Sequence, residues 1–199
     1  MQATLLWLVV LGVLVALFLL TLRRLSVLVG RTRALERYQK QTRQLAERLA
    51  ATADPFVTQL DEIRRRSGDP RSLAEAMPGA QDALRAIADE GRGAKVPRGL
   101  AREAAAFTVE LERAVRAAEL VGHGLDALVA DRGGRDLEAQ TSLKRGTLNL
   151  RHSTEAASRI AAEIAAVRPA DLLTRPDQPD GIRSSVPTYI VDGDLDDRS

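Results

Sequence analysis

A pair of heptad seams constrains this chain more than any other feature. Leu100, Ala104, Phe107, Leu111, Ala114, Ala118, Val121, Leu125 and Leu128 alternate steps of four and three without a break. That spacing holds one helix face against a second helix along its whole length. Gly133–Gly134 stops the helix. The pattern then resumes in Ala139, Leu143, Gly146, Leu150, Ser153, Ala157, Ile160, Ile164 and Val167. Two seams joined by a short glycine turn predict an antiparallel helical hairpin over 98–167. The small residues Ala104, Ala114, Ala118, Gly146, Ser153 and Ala157 predict close backbone approach within it. With aromatics at only 3% of the chain, the core must be Leu, Val, Ile and Ala, which suits helix packing better than a β-sandwich. The expected fold class is all-α and coiled-coil-like.

Weaker helical patterns precede the hairpin. Leu35, Tyr38, Leu45, Leu49, Phe56, Leu60 and Ile63 keep three- and four-residue steps, with Thr42, Thr52 and Gln59 weakening the stripe. Asp54–Pro55 falls inside it and predicts a kink or a restart, because Asp caps helices and Pro suits their first position. Gly68-Asp69-Pro70 ends the segment. Leu73, Met77, Ala80, Leu84 and Ile87 form a second helical region that Pro78–Gly79 is expected to split. Gly91–Pro97 reads as a flexible connector.

The opening of the chain has a different character. Ala3–Leu22 holds no charged group, and its only polar side chains are Thr4 and Thr21. Twenty residues at about 1.5 Å each reach about 30 Å, the thickness of a bilayer's hydrocarbon core. Trp7 lies where an amphipathic ring anchors at headgroups. A cleaved signal peptide would want basic residues before the run and small ones after it, whereas Arg23–Arg24 follow directly. Residues 1–22 are therefore expected to be an uncleaved single transmembrane helix. Gly12 and Ala16 form a small-xxx-small pair that would let two such helices meet, making a homodimer one expected state.

Charge is segregated along the chain. Residues 23–43, read as a basic juxtamembrane helix, carry Arg23, Arg24, Arg31, Arg33, Arg37, Lys40 and Arg43 against Glu36 alone. The positive-inside bias then puts the N-terminus outside and the rest in the cytoplasm, with the basic stretch against anionic lipid. Residues 44–168, the expected cytoplasmic bundle, balance 19 basic with 19 acidic side chains. Residues 169–199 hold four Pro and seven Asp against three Arg, and read as an acidic disordered tail. Within that tail Val186, Tyr189, Ile190 and Val191 form an apolar island suited to docking on a partner as a strand.

Tests for chemistry fail one after another. No Cys exists, which removes thiolate catalysis and Cys-ligated metal sites. The two histidines, His123 and His152, fall about eight residues out of register on the hairpin, about 12 Å along the axis. Neither has an acidic residue three positions before it, since those positions are Leu120 and Asn149. Asp192–Asp196 alternates like a calcium loop, but its glycine is misplaced. No phosphate-cradling loop and no nucleophile elbow occur. Arg64-Arg65-Arg66 is the one compact basic cluster, and a helix C-terminus favours such residues through its dipole. No catalytic residue, no cofactor, no metal and no nucleic acid is expected. The preference for Arg over Lys and the abundance of Ala suit a GC-rich bacterial genome. The expected function is a non-catalytic membrane-anchored scaffold or accessory subunit that recruits protein partners. The alternative is a protein relaying anchor or lipid changes through its juxtamembrane coiled coil.

Overall fold

Helices form wherever an apolar stripe of 3.6-residue period runs. They are α1 (Gln2–Arg64), α2 (Pro70–Gly93), α3 (Ala101–Val129), α4 (Asp136–Ala166) and a single closing turn, α5 (Asp171–Thr174). The computed structural model describes the backbone of residues 2–65, 68–130 and 136–174. It describes side-chain surroundings for residues 14, 18, 29–65, 68–130 and 137–172. No strand occurs among the described residues.

The four long helices form an up-down-up-down bundle in which α1 packs on α2 and α4, and α3 packs on α2 and α4. Cross-contacts fix the direction of each pair. Arg48 pairs with Glu90, while Arg92 reaches Glu112 and Arg85 reaches Glu119. Gly146 sits on Val121, and Gly124 on Leu143. The Gln39 amide of α1 lies 3.0 Å from the Ile164 carbonyl and 2.9 Å from that of Val167, at the other end of α4.

Two clusters make the interior. The larger draws Leu45, Leu49 and Leu60 from α1, Leu84 and Ile87 from α2, and Phe107 and Leu111 from α3, with Leu150 from α4. The smaller closes one end of the bundle with Leu35, Tyr38, Leu100, Ala104 and Ile164. Each large side chain so buried contributes roughly 1.5–3 kcal/mol. Buried hydroxyls are mostly tied to their own helices. Thr42 donates to the Tyr38 carbonyl at 3.0 Å, Thr147 to that of Leu143 and Thr154 to that of Leu150. Thr42, expected to weaken the stripe, thus sits inside it at 1% exposure with its hydroxyl satisfied.

Several expectations are overturned. Asp54–Pro55 does not restart a helix, for α1 runs unbroken through Pro55. Asp54, Pro55 and Ala51 are exposed, so the Ala51 carbonyl that loses its partner faces water, while Ala53, Val57 and Leu60 stay buried on the opposite side. Pro78–Gly79 likewise fails to split α2. Both residues are exposed between buried Met77 and Ala80, and packing of that face outweighs the missing bond. The start of α2 is set by Asp69, whose carboxylate accepts from Arg71 N–H at 3.0 Å and Ser72 N–H at 3.3 Å.

Nor is Gly91–Pro97 a flexible connector from its first residue. Gly91 is buried inside α2, where an added Cβ would overlap the Leu111 side chain. The turn itself needs Gly99, whose φ of 84° a side chain would oppose. Residues 169–174, expected to open the tail, fold onto the bundle. Asp171 accepts from the Arg168 N–H at 2.9 Å, α5 follows, and Leu172 packs on the smaller core cluster. Gly133–Gly134 and residues 175–199 lie outside the described residues.

Candidate membrane-facing collar and partner surfaces

Leu35 is the first buried residue of α1 among those described. Before it, Leu14 is 59% exposed, Phe18 64% and Val29 48%, and an added Cβ on Gly30 would meet nothing within 4 Å. The N-terminal part of α1 thus extends beyond the bundle as a helical stalk. The side chains of Gly12, Ala16, Arg23 and Arg24 lie outside the described residues, as does most of the Ala3–Leu22 run. Among the described residues no helix is long and apolar enough to cross a membrane.

The rest of the basic stretch forms a collar where the stalk enters the bundle. Arg31, Arg33, Arg37, Lys40 and Arg43 are all exposed. Arg37 Nε donates to the Arg33 carbonyl at 3.1 Å, which lays its side chain back along the helix. The fold adds cations that the sequence pattern did not single out. The α2–α3 connection and the end of α4 wrap around Leu35 and Tyr38, bringing exposed Lys95, Arg98, Arg102 and Arg168 to this same end. Only their places at the ends of consecutive antiparallel helices could have signalled this. Acids at this end include Glu36, Glu103, Glu163 and Asp171. Beneath the collar, burial first and the Glu103 charge second push the Tyr38 hydroxyl up to about 12. Burial favours the neutral phenol because its anion would lose hydration.

Two open surfaces flank the bundle. At the end away from the collar, a cleft of about 780 Å³ lies between Ile63, Leu128, Leu137 and Leu143, with Arg64 and Lys144 at its rim. Leu137 is 78% exposed there. Along the side, a groove of about 580 Å³ runs between α1 and α4, floored by Ala46, Ala50, Ala161, Ala162 and Ala165. Opposite that groove the α2/α3 face is closed by ion pairs. Hydrogen bonds to Glu119 and to Glu112 hold the Arg85 and Arg92 guanidiniums further above their ordinary pKa.

The two histidines do not converge. His123 is exposed and lines a cleft of about 290 Å³ with Asp126, Glu138 and Ser142. His152 is exposed elsewhere on α4. Among the described residues no cluster of three His, Asp or Glu side chains could hold a metal ion. The docking island Val186, Tyr189, Ile190 and Val191, and the Asp192–Asp196 run, lie outside the described residues. Comparison with protein-family models, with curated proteins and with solved structures finds no match for this chain.

Proposed function

We propose that this chain is a non-catalytic, single-pass membrane scaffold that holds a helical bundle at the cytoplasmic face and recruits protein partners there. One observation carries the reading. A single unbroken helix joins the uncharged Ala3–Leu22 run, through a basic collar, to the bundle core. Large apolar side chains stand exposed on its stalk at Leu14 and Phe18, as lipid contact would require.

Distances along the helix give the geometry. From Leu22 to Leu35 the rise is about 20 Å, and the headgroup layer takes up about 5–8 Å of that. Arg31 then lies about 6–8 Å from anionic headgroups, within a Debye length of about 8 Å and worth about 1 kcal/mol of attraction, while Arg33, about 9–11 Å off, is screened more. Lys95, Arg98 and Arg102 stand farther off and act when α1 tilts. The distal cleft around Leu137 and the apolar island at Val186–Val191 are the proposed recruiting surfaces. Neither needs a cofactor.

The test is extraction and topology together. Alkaline carbonate is expected to leave the full-length chain in the membrane pellet, and a reporter fused after Ser199 is expected to be active in the cytoplasm. Release by carbonate, or export of the reporter, removes this reading. Affinity purification from detergent, with the chain whole or cut after Thr174, then assigns partners to the bundle or to the tail. Absence of any partner with both chains overturns the recruiting role.

One feature favours a second reading as a signal relay. Because the stalk and the core-facing residues Leu35–Ala53 belong to one helix, a rotation of the stalk passes directly into the core. Cross-links across residues 35–63 that change with lipid composition would support a relay, and cross-links that never change favour the static scaffold.

A further inference from the structure

We infer that the α1/α4 face is a self-association surface, on which a second copy of this chain packs in parallel about a two-fold axis running along the bundle. The first support is a gap in the ion pairing. Ion pairs tie α1 to α2 at Arg48–Glu90, and α2 to α3 at Arg85–Glu119 and Arg92–Glu112. Across α1 and α4 the pair Arg151–Asp61 sits toward the far end. At the collar end of the α1/α4 seam, exposed Arg43, Glu47, Arg159 and Glu163 make no ion pair among the described residues. Arg43 and Glu47 line the alanine-floored groove, and Arg159 and Glu163 directly follow its lining residues Ser158 and Ala162 on α4.

The second support is their register. The Gln39 amide sits at the carbonyls of Ile164, Ala165 and Val167. Stepping along antiparallel helices from there puts Arg43 level with Ala162 and Glu47 level with Ser158, and all four line the groove. A two-fold axis parallel to the helices preserves these levels, so α1 of one copy meets α4 of the other at the same heights. Arg43 then faces Glu163 of the second copy, and Glu47 faces its Arg159. Opposite charges meet at both levels, and symmetry repeats both pairs. The exposed alanines Ala162 and Ala166, with half-buried Ala50 and Ala165, keep the approaching helices from colliding. The parallel orientation arises from the charges alone, so it stands whether or not Ala3–Leu22 spans a membrane.

Area sets the strength. Residues 36–54 of α1 and the facing part of α4 make a patch about 28 Å long and about 20 Å wide, since a helix rises about 1.5 Å per residue and is about 10 Å across. That is roughly 560 Å² a side, below the roughly 800 Å² of a standard interface, so association is expected near micromolar.

The chain has no native Cys, so introduced ones report alone. Two differently tagged full-length chains, one carrying Glu47→Cys and the other Arg159→Cys, are mixed in detergent and oxidised. A disulfide-linked pair of unlike tags is expected, while Glu75→Cys mixed with Asp126→Cys, on the other side of the bundle, yields none. Light scattering at about 100 µM should show a dimer. Glu47→Arg should weaken it about tenfold, because two attractive pairs become repulsive, and adding Arg159→Glu should restore it. A monomer at that concentration overturns the inference. So does a dimer that ignores Glu47→Arg, or one that cross-links equally through the control pair.

Discussion

The α3/α4 and α1/α4 seams use the same small residues to opposite effect. Between α3 and α4, Ala114, Ala118 and Ala157 are completely buried, and Gly146 lets α4 settle onto the Val121 side chain and the Ala117 carbonyl. Between α1 and α4, Ala46 and Ala161 are buried, but Ala50 and Ala165 are only half covered and Ala162 is exposed. The first seam is closed by apolar contact. The second shares the apolar core but adds polar ties near its ends, Gln39 to the α4 carbonyls and Arg151 to Asp61 at 2.9 Å, and leaves a groove between them on its outer side. Small residues draw two helices together only where both helices present them at matching levels. Elsewhere they leave a shallow channel.

Filling the closed seam should do the most damage. A Cβ at Gly146 would lie 2.6 Å from Val121 Cγ2 and 3.0 Å from the Ala117 carbonyl oxygen, and the latter is backbone that cannot turn aside. Gly146→Leu is expected to cost about 3 kcal/mol, read as a lower denaturant midpoint. A loss below about 0.5 kcal/mol, the scatter of surface substitutions, would mean that the seam is not tight.

The smaller cluster beside the open seam should respond to alkali. Tyrosine in the unfolded chain ionises near 10, whereas Tyr38 in the folded chain is pushed up to about 12. Stability from this group is therefore full below pH 10 and lost as pH rises through 12, by about 2–3 kcal/mol. Tyr38→Phe should flatten that part of the stability–pH profile. An unchanged profile would show that the phenol is not held neutral.

The mildest effect belongs to the polar tie. Gln39 donates to the Ala165 and Val167 carbonyls at the end of α4, and shares that of Ile164 with the Val167 N–H. Gln39→Ala should cost about 1–2 kcal/mol. Amide hydrogen exchange should rise first at the end of α4, while the middle of α3 stays protected. Equal loosening of both would erase the distinction between the seams.

Much of the helical plan could be read from spacing alone. The buried residues of α3 include Ala104, Phe107, Leu111, Ala114, Ala118, Val121 and Leu125, the positions their four-three steps pick out. Of the expected collar, Arg31, Arg33, Arg37, Lys40 and Arg43 are exposed. Proline positions misled, because a missing hydrogen bond on a solvent-facing side costs less than the packing on the other side holds. The partner cations Lys95, Arg98, Arg102 and Arg168 were invisible in one dimension, since they gather only when helix ends meet.

The order of residues thus determined which faces are apolar, where α2 is capped by Asp69, and how charge divides along the chain, for these depend on neighbours within a turn or two. Only the assembled bundle decided that α1 would continue through Pro55, that Leu172 would return to the core, and that one seam would close while the other kept a groove. Those outcomes rest on contacts between residues up to more than a hundred positions apart, such as Gln39 with Ile164, and local spacing carries no information about them.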